Sequence, residues 1–149
     1  MMRTIPVTVL ALAWLSCPGD ISQVRAQGTV DTKGLTARIL FEAPISGGHI
    51  PEVRGRFKLR MTELSIAAGG YVGDHNHLGP GIRQMTEGEM DYIMPERTVT
   101  YRTGDYFFET GDISHRVLNN TNRPSKHLLF EILPVDVKGP SLILPRARP

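Results

Sequence analysis

Three histidines carry the chemistry in this sequence: His75 and His77, separated by one residue in Asp74-His75-Asn76-His77, and His115, thirty-eight residues beyond His77. Alternate side chains of a β-strand share a face, so His75 and His77 on a strand aim the same way and can grip one ion. A third neutral imidazole converging on that point makes an open site for a borderline transition metal, with coordination positions left for water or substrate. Taken alone, such a pair reads equally well as part of a solvated strand, and the flanking residues decide between the two. Gly69 stands six residues before His75, and Gly88 eleven after His77, behind the run Gly79-Pro80-Gly81-Ile82. In the second segment His115 follows Gly104 by eleven residues and precedes Asn119 by four.

These two segments resemble the two sequence motifs of the cupin superfamily, matching at Gly69, His75, His77, Gly88, Gly104, His115 and Asn119 over residues 57 to 134. The resemblance implies an all-β fold, a single jelly-roll barrel of antiparallel strands, with a metal held by His75, His77 and His115. Two departures qualify it. Gly81 stands where most cupins carry a metal-binding glutamate, and Thr110 and Asp112 replace the usual proline and glycine of the second motif. Gly111 can still supply the permissive backbone of a tight turn. Loss of the glutamate removes one negative charge and one ligand, which raises Lewis acidity and opens a coordination position.

Three-histidine sites occur in cupins resembling thiol, diketone and gentisate dioxygenases. The resemblance therefore implies one divalent metal (Fe, Mn, Ni or Zn) and a dioxygenase-like reaction on a small organic acid or ketone. Two other readings are carried beside it: a non-catalytic barrel that captures a small ligand, and a redox-neutral isomerase or lyase using the metal as Lewis acid alone. Cupins are often dimers, so a homodimer is expected by resemblance.

Around the triad, strand alternation ranks further candidates. Glu109 shares a face with Phe107, which in related sequences is apolar and inward; it reads as a substitute ligand or an acid or base beside the metal, or else as a structural ion pair or an outer-face residue. Arg83 shares a face with Gly81. Inward, its guanidinium could clamp a substrate carboxylate; outward, it is an ordinary surface charge. Gln84 could point inward only through a bulge at Gly79 and Gly81, and could then offer its amide to substrate or metal. Tyr92, Tyr101, Tyr106, Phe108 and Phe130 read as core. His49 reads as a loop residue, and His127 as a hydrogen-bonded core or surface histidine rather than a ligand.

The elements that must position these residues are short β-like runs: 37–42, 56–67, 81–86, 90–94, 98–101, 106–109, 115–119 and 126–133, divided by turn signals such as Thr103-Gly104-Asp105. Helical periodicity is absent over any long window, and no internal repeat appears. Residues 27–55 form an N-terminal strand and loop, 56–134 the barrel, and 135–149 an extension whose Leu142-Ile143-Leu144 run either covers its own sheet edge or pairs with a partner chain.

At 149 residues the chain holds one domain. Residues 1–26 read as an export signal: Arg3, an apolar run from Ile5 to Leu15, then Val24-Arg25-Ala26 with small residues at the peptidase positions. That run is too short to span a membrane. Trp14 three residues before Cys17 argues against a lipid anchor. Cleavage after Ala26 leaves 123 residues with no cysteine, so the expected product is periplasmic or secreted, without disulfides or thiolate ligands. Its fifteen basic and fourteen acidic residues give a net charge of +1, which gives no support to a charge-driven nucleic-acid role.

Overall fold

The computed structural model describes residues 29–145, so the export signal and Cys17 lie outside the described residues. Nine strands form the fold, in chain order β1 (Thr32–Pro44), β2 (Phe57–His77), β3 (Gly81–Glu87), β4 (Glu89–Ile93), β5 (Thr98–Arg102), β6 (Tyr106–Glu109), β7 (His115–Leu118), β8 (Ser125–Pro134) and β9 (Leu142–Ile143). There is no helix among the described residues, and accordingly none long and apolar enough to cross a membrane. Every strand pairing is antiparallel. Hydrogen-bonded neighbours run β5-β4-β7-β2-β8-β3-β6, with β1 and β9 added to β2, and the sheet curls into the nearly closed jelly-roll barrel of an all-β protein.

The long β2 is the spine. In its first half Lys58, Arg60, Thr62, Leu64 and Ile66 are buried while the residues between them are not, the period-two signature of a strand with one face inside. A one-residue irregularity then reverses the parity. Val72 pairs with Val117 and His75 with His115, so β2 spends three residues where β7 spends two. Without that extra residue at Gly73-Asp74, His75 and His77 would face outward.

One half of the interior is apolar, built from Ile66, Val72, Met85, Met90, Tyr92, Phe107 and Val117. The other half is polar: Arg83 from β3, Glu109 from β6, and His127 and Glu131 from β8 are all buried. The alternation that turns Phe107 and Glu109 inward turns Tyr106 and Phe108 outward, and each of those two is 65% exposed. Phe130 is exposed as well. These three are therefore surface residues, contrary to the expectation that they fill the core, whereas Tyr92 and Tyr101 pack inside against Phe107.

The C-terminal extension covers its own barrel. Lys58 Nζ donates to the Val137 carbonyl at 2.5 Å and Arg60 Nη1 to the Gly139 carbonyl at 2.7 Å. β9 then pairs with Asn76 and His77 of β2. His49 is exposed, in the loop between β1 and β2.

Asn119 is fully buried and its Nδ2 donates to the carbonyls of Ile66, Ala67 and Arg123, tying the end of β7 to the bend of β2. Replacing Asn119 with Ala removes the donor shared by the buried Ile66 carbonyl and the part-buried Ala67 and Arg123 carbonyls, and we expect a loss of about 2 kcal/mol. Urea unfolding of the two proteins measures it; equal midpoints would show that the tie contributes nothing.

Candidate metal centre

The parity switch in β2 and the register of β7 set His75 directly across from His115, with His77 two residues further along the same face. Ring centroids lie 4.2 Å apart for His75 and His115, 5.0 Å for His75 and His77, and 5.7 Å for His77 and His115. All three are buried, and one ring nitrogen of each lies within 4.8 Å of those of the other two.

Each ring is held by its Nδ1. His75 Nδ1 donates to the Gly73 carbonyl at 2.7 Å, and His115 Nδ1 to the Ile113 carbonyl at 3.0 Å. His77 Nδ1 faces Glu131 Oε1 at 3.3 Å and Ser141 Oγ at 3.2 Å, while Ser141 Oγ donates to the same Glu131 oxygen at 2.5 Å. A carbonyl or carboxylate can only accept, so Nδ1 carries the proton and the Nε2 lone pair is left on each ring. This carboxylate-to-imidazole arrangement is the one that orients metal-ligating histidines.

Two of those Nε2 atoms show what they face. His115 Nε2 is 2.8 Å from Glu109 Oε1, yet the direction is wrong for a hydrogen bond and the buried nitrogen has no hydrogen-bond partner. Two acceptors this close are what ligands sharing one cation look like. His77 Nε2 accepts from Arg83 Nη2 at 2.9 Å and lies 3.6 Å from Glu109 Oε2. The donor set therefore fits a divalent transition metal, on condition that the guanidinium moves off His77.

Arg83 is fully engaged. Its Nε donates to Glu109 Oε2 at 2.8 Å and its Nη1 to His127 Nε2 at 2.6 Å. Glu109 Oε1 also receives the Tyr92 hydroxyl at 2.6 Å, and the Tyr92 ring stacks on His115. Burial raises the Glu109 pKa, but the Arg83 guanidinium beside it outweighs that and holds the carboxyl well below its ordinary range. Burial pushes the Tyr92 hydroxyl up, assisted by the Glu109 charge. His127 is driven well below its ordinary value by burial and by Arg83.

The structure thus brings His75, His77, His115, Glu109 and Arg83 together. It does not bring Gln84. No bulge turns Gln84 inward; its amide nitrogen donates to the Tyr106 hydroxyl on the outer face, away from the triad. Sequence reasoning passed over His127 and missed Glu131, Tyr92 and Ser141 as members of the site. Glu131 carried a usable signal, as a carboxylate inside the otherwise apolar run Leu128-Leu129-Phe130-Glu131-Ile132-Leu133.

A cavity of about 20 Å³ adjoins the triad, bounded by His75, His77, Arg83 and His127 on one side and by Leu35, Leu64, Ile66, Val72, Val117 and Leu142 on the other. That is room for roughly one water-sized species.

Burial, with the neighbouring imidazoles His115 and His77, lowers the His75 pKa from 6.5 to about 3. A depressed folded-state value means that stability is fully present above 6.5 and is lost as pH falls toward 3; the depressed Glu109 acts in the same direction below 4.5. Chelator-treated protein should accordingly melt at steadily lower temperature from pH 6.5 downward, and His75→Gln should flatten the upper part of that slope. A melting temperature constant between pH 7 and 4 would contradict it.

A cupin domain model matches residues 62–131. No curated protein matches the chain. Among solved structures, a conserved protein with a double-stranded β-helix domain from Klebsiella pneumoniae is 12% identical, aligned over 76% of this chain and 85% of that one with a TM-score of 0.55. The polyketide cyclase RemF from Streptomyces resistomycificus is 19% identical over 74% and 77% with a TM-score of 0.53. Salicylate 1,2-dioxygenase from Pseudoaminobacter salicylatoxidans is 22% identical over 66% of this chain and 25% of its own, with a TM-score of 0.50. At these identities the likeness is one of fold. With its barrel, its motif spacing and the family model matched over residues 62–131, this part of the chain is a cupin domain.

Proposed function

We propose that the protein is an exported metal-binding cupin whose centre is built on His75, His77 and His115 and takes one divalent first-row metal: Fe, Mn, Ni or Zn. The observation that carries this is the common tautomer: three buried rings, each anchored through Nδ1, leave three Nε2 lone pairs on one small volume. A bound ion would supply Lewis acidity and, if iron, the capacity for dioxygen chemistry on a small organic acid or ketone. The protein's own part is to fix the rings, to exclude bulk water with Leu35, Leu64 and Leu142, and to hold a carboxylate and a guanidinium beside the reacting volume.

The cavity favours keeping the second reading, a barrel that binds a metal or small ligand without catalysis. A volume near 20 Å³ is far below the roughly 300 Å³ and upward of ordinary substrate pockets. Turnover of an organic acid requires the half-buried Leu35 or Leu142 to move aside.

A homodimer is part of the proposal. Phe41, Met61, Phe130, Ile82 and Phe108 sit opposite one another in register across β1, β2, β8, β3 and β6 and form one outward apolar row. Four of the five are exposed, a contiguous apolar surface of the kind monomers seldom leave to water.

Native mass spectrometry of protein taken from its own compartment tests these points together. We expect a chain beginning at Gln27, two copies per particle and one metal per chain, with the metal lost in His75→Ala and His115→Ala. Metal content unchanged in those variants would sink the site. Oxygen uptake by iron-loaded protein with carboxylates, thiols and diketones favours the dioxygenase; turnover without oxygen favours an isomerase or lyase; ligand-induced thermal shift with no turnover favours the binding module.

A further inference from the structure

We infer that the metal centre is completed by a fourth protein ligand, Glu109 from β6, and that Arg83 is the internal cation against which the metal exchanges. The inference rests on the three-histidine reading above and adds two residues to it.

The first observation is one of register. Gly81, the position without a side chain, pairs directly with Glu109 across β3 and β6. A carboxylate at residue 81 has no room, because an added Cβ would come within 2.9 Å of both the Phe130 carbonyl oxygen and Leu129 Cδ1. The neighbouring strand delivers the carboxylate instead, from the residue directly opposite.

The second is distance. Donor atoms about 2.1 Å from one metal and at right angles to each other are separated by roughly 3 Å. Glu109 Oε1 is 2.8 Å from His115 Nε2 and Glu109 Oε2 is 3.6 Å from His77 Nε2. The carboxylate thus lies against both imidazoles at spacings that bracket the one adjacent ligands require. The orphaned His115 Nε2 is the nitrogen it meets.

The third is charge. The side chains that bond one another here include two buried carboxylates, Glu109 and Glu131, and one permanent cation, Arg83. Buried carboxylates must be compensated. Arg83 alone spans Glu109 Oε2 and His77 Nε2, the two groups a metal would draw together. His77 cannot offer one lone pair to both a guanidinium and a metal, so ligation displaces Arg83 Nη2 from that nitrogen while the bonds of Arg83 to Glu109 and His127 can persist.

The test is calorimetric titration of chelator-treated full-length protein with Mn(II) and Zn(II), run on wild type, His75→Ala, Glu109→Gln, Glu109→Asp and Arg83→Gln, with thermal melts alongside. Loss of an outer partner of a ligand already costs about 10–100-fold in metal affinity, so Glu109→Gln should weaken binding at least about tenfold, with Glu109→Asp recovering part of the loss. Arg83→Gln should bind metal more tightly than wild type by at least about threefold, and metal should raise its melting temperature by more, since the competitor is gone. Wild-type affinity in Glu109→Gln, with binding abolished in His75→Ala, leaves the three-histidine centre standing and overturns this inference. Weaker binding in Arg83→Gln overturns the exchange. A wild type that binds neither metal removes both readings. If the buried variants do not fold, the Arg83 Nε–Hε resonance of 15N-labelled wild type decides: a large shift on adding Zn(II) is expected, and an unmoved signal overturns the exchange.

Discussion

The interior of this barrel is organised around the pairing of Arg83 with Glu109. Neither charge can reach water, so each must be satisfied by what the strands bring to it. The guanidinium distributes its donors over β6, β8 and β2 by bonding Glu109, His127 and His77. The carboxylate answers with Tyr92 from β4 and faces His115 of β7. Four further strands, β2, β4, β7 and β8, are thus referenced to one ion pair between β3 and β6. Removing either partner strands a buried charge, a far larger penalty than the pair itself contributes, so the two residues fix the relative placement of the strands that carry the histidines.

Backbone geometry supplies the second constraint. The extra residue at Gly73-Asp74 converts a strand whose inward residues are even-numbered into one whose inward residues are His75 and His77. The freed Gly73 carbonyl then takes the His75 Nδ1 proton, so the same irregularity that turns the ring inward also fixes its tautomer. On the other side of the triad, Gly111 takes a φ of +91° and leaves no space for a side chain, since an added Cβ would be 2.9 Å from the Gly79 carbonyl oxygen. Its own carbonyl receives the His77 amide at 2.9 Å, which secures the end of β2.

Much of this was legible in the sequence because period-two alternation is a local property. The spacing of His75, His77 and His115 among glycines pointed to the triad, and parity with Phe107 and Gly81 offered an inward face to Glu109 and Arg83 beside an outward one. An inward Gln84 needed a bulge at Gly79 and Gly81, and the structure leaves Gln84 bonded to Tyr106 on the outer face instead. What escaped were residues whose orientation depends on pairing rather than pattern. β8 is apolar on both faces, through Leu128 and Phe130 on one and Leu129 and Leu133 on the other, so nothing local told which face held His127 and Glu131. The outward Phe130 was hidden for the same reason, whereas the alternation that turns Phe107 inward already turns Phe108 outward. Contacts to carbonyls, such as those of Lys58 and Arg60 with residues 137 and 139, are blind to sequence because every residue offers that acceptor.

The short β9 gives the enclosure an uneven mechanical character. The first half of β2 is held by a long ladder, ten residue pairs with β8. On the tail side His77 is covered by a strand of two residues and by the hydroxyl of Ser141. Local opening follows the path with the fewest bonds to break, so the Leu78 amide, which donates to the Ser141 carbonyl at 3.0 Å, is expected to exchange with solvent when the tail detaches, while the His77 amide stays bonded to Gly111. The hydroxyl that orients one imidazole therefore sits on the tail, which makes the fixed geometry of His77 conditional on the tail being docked.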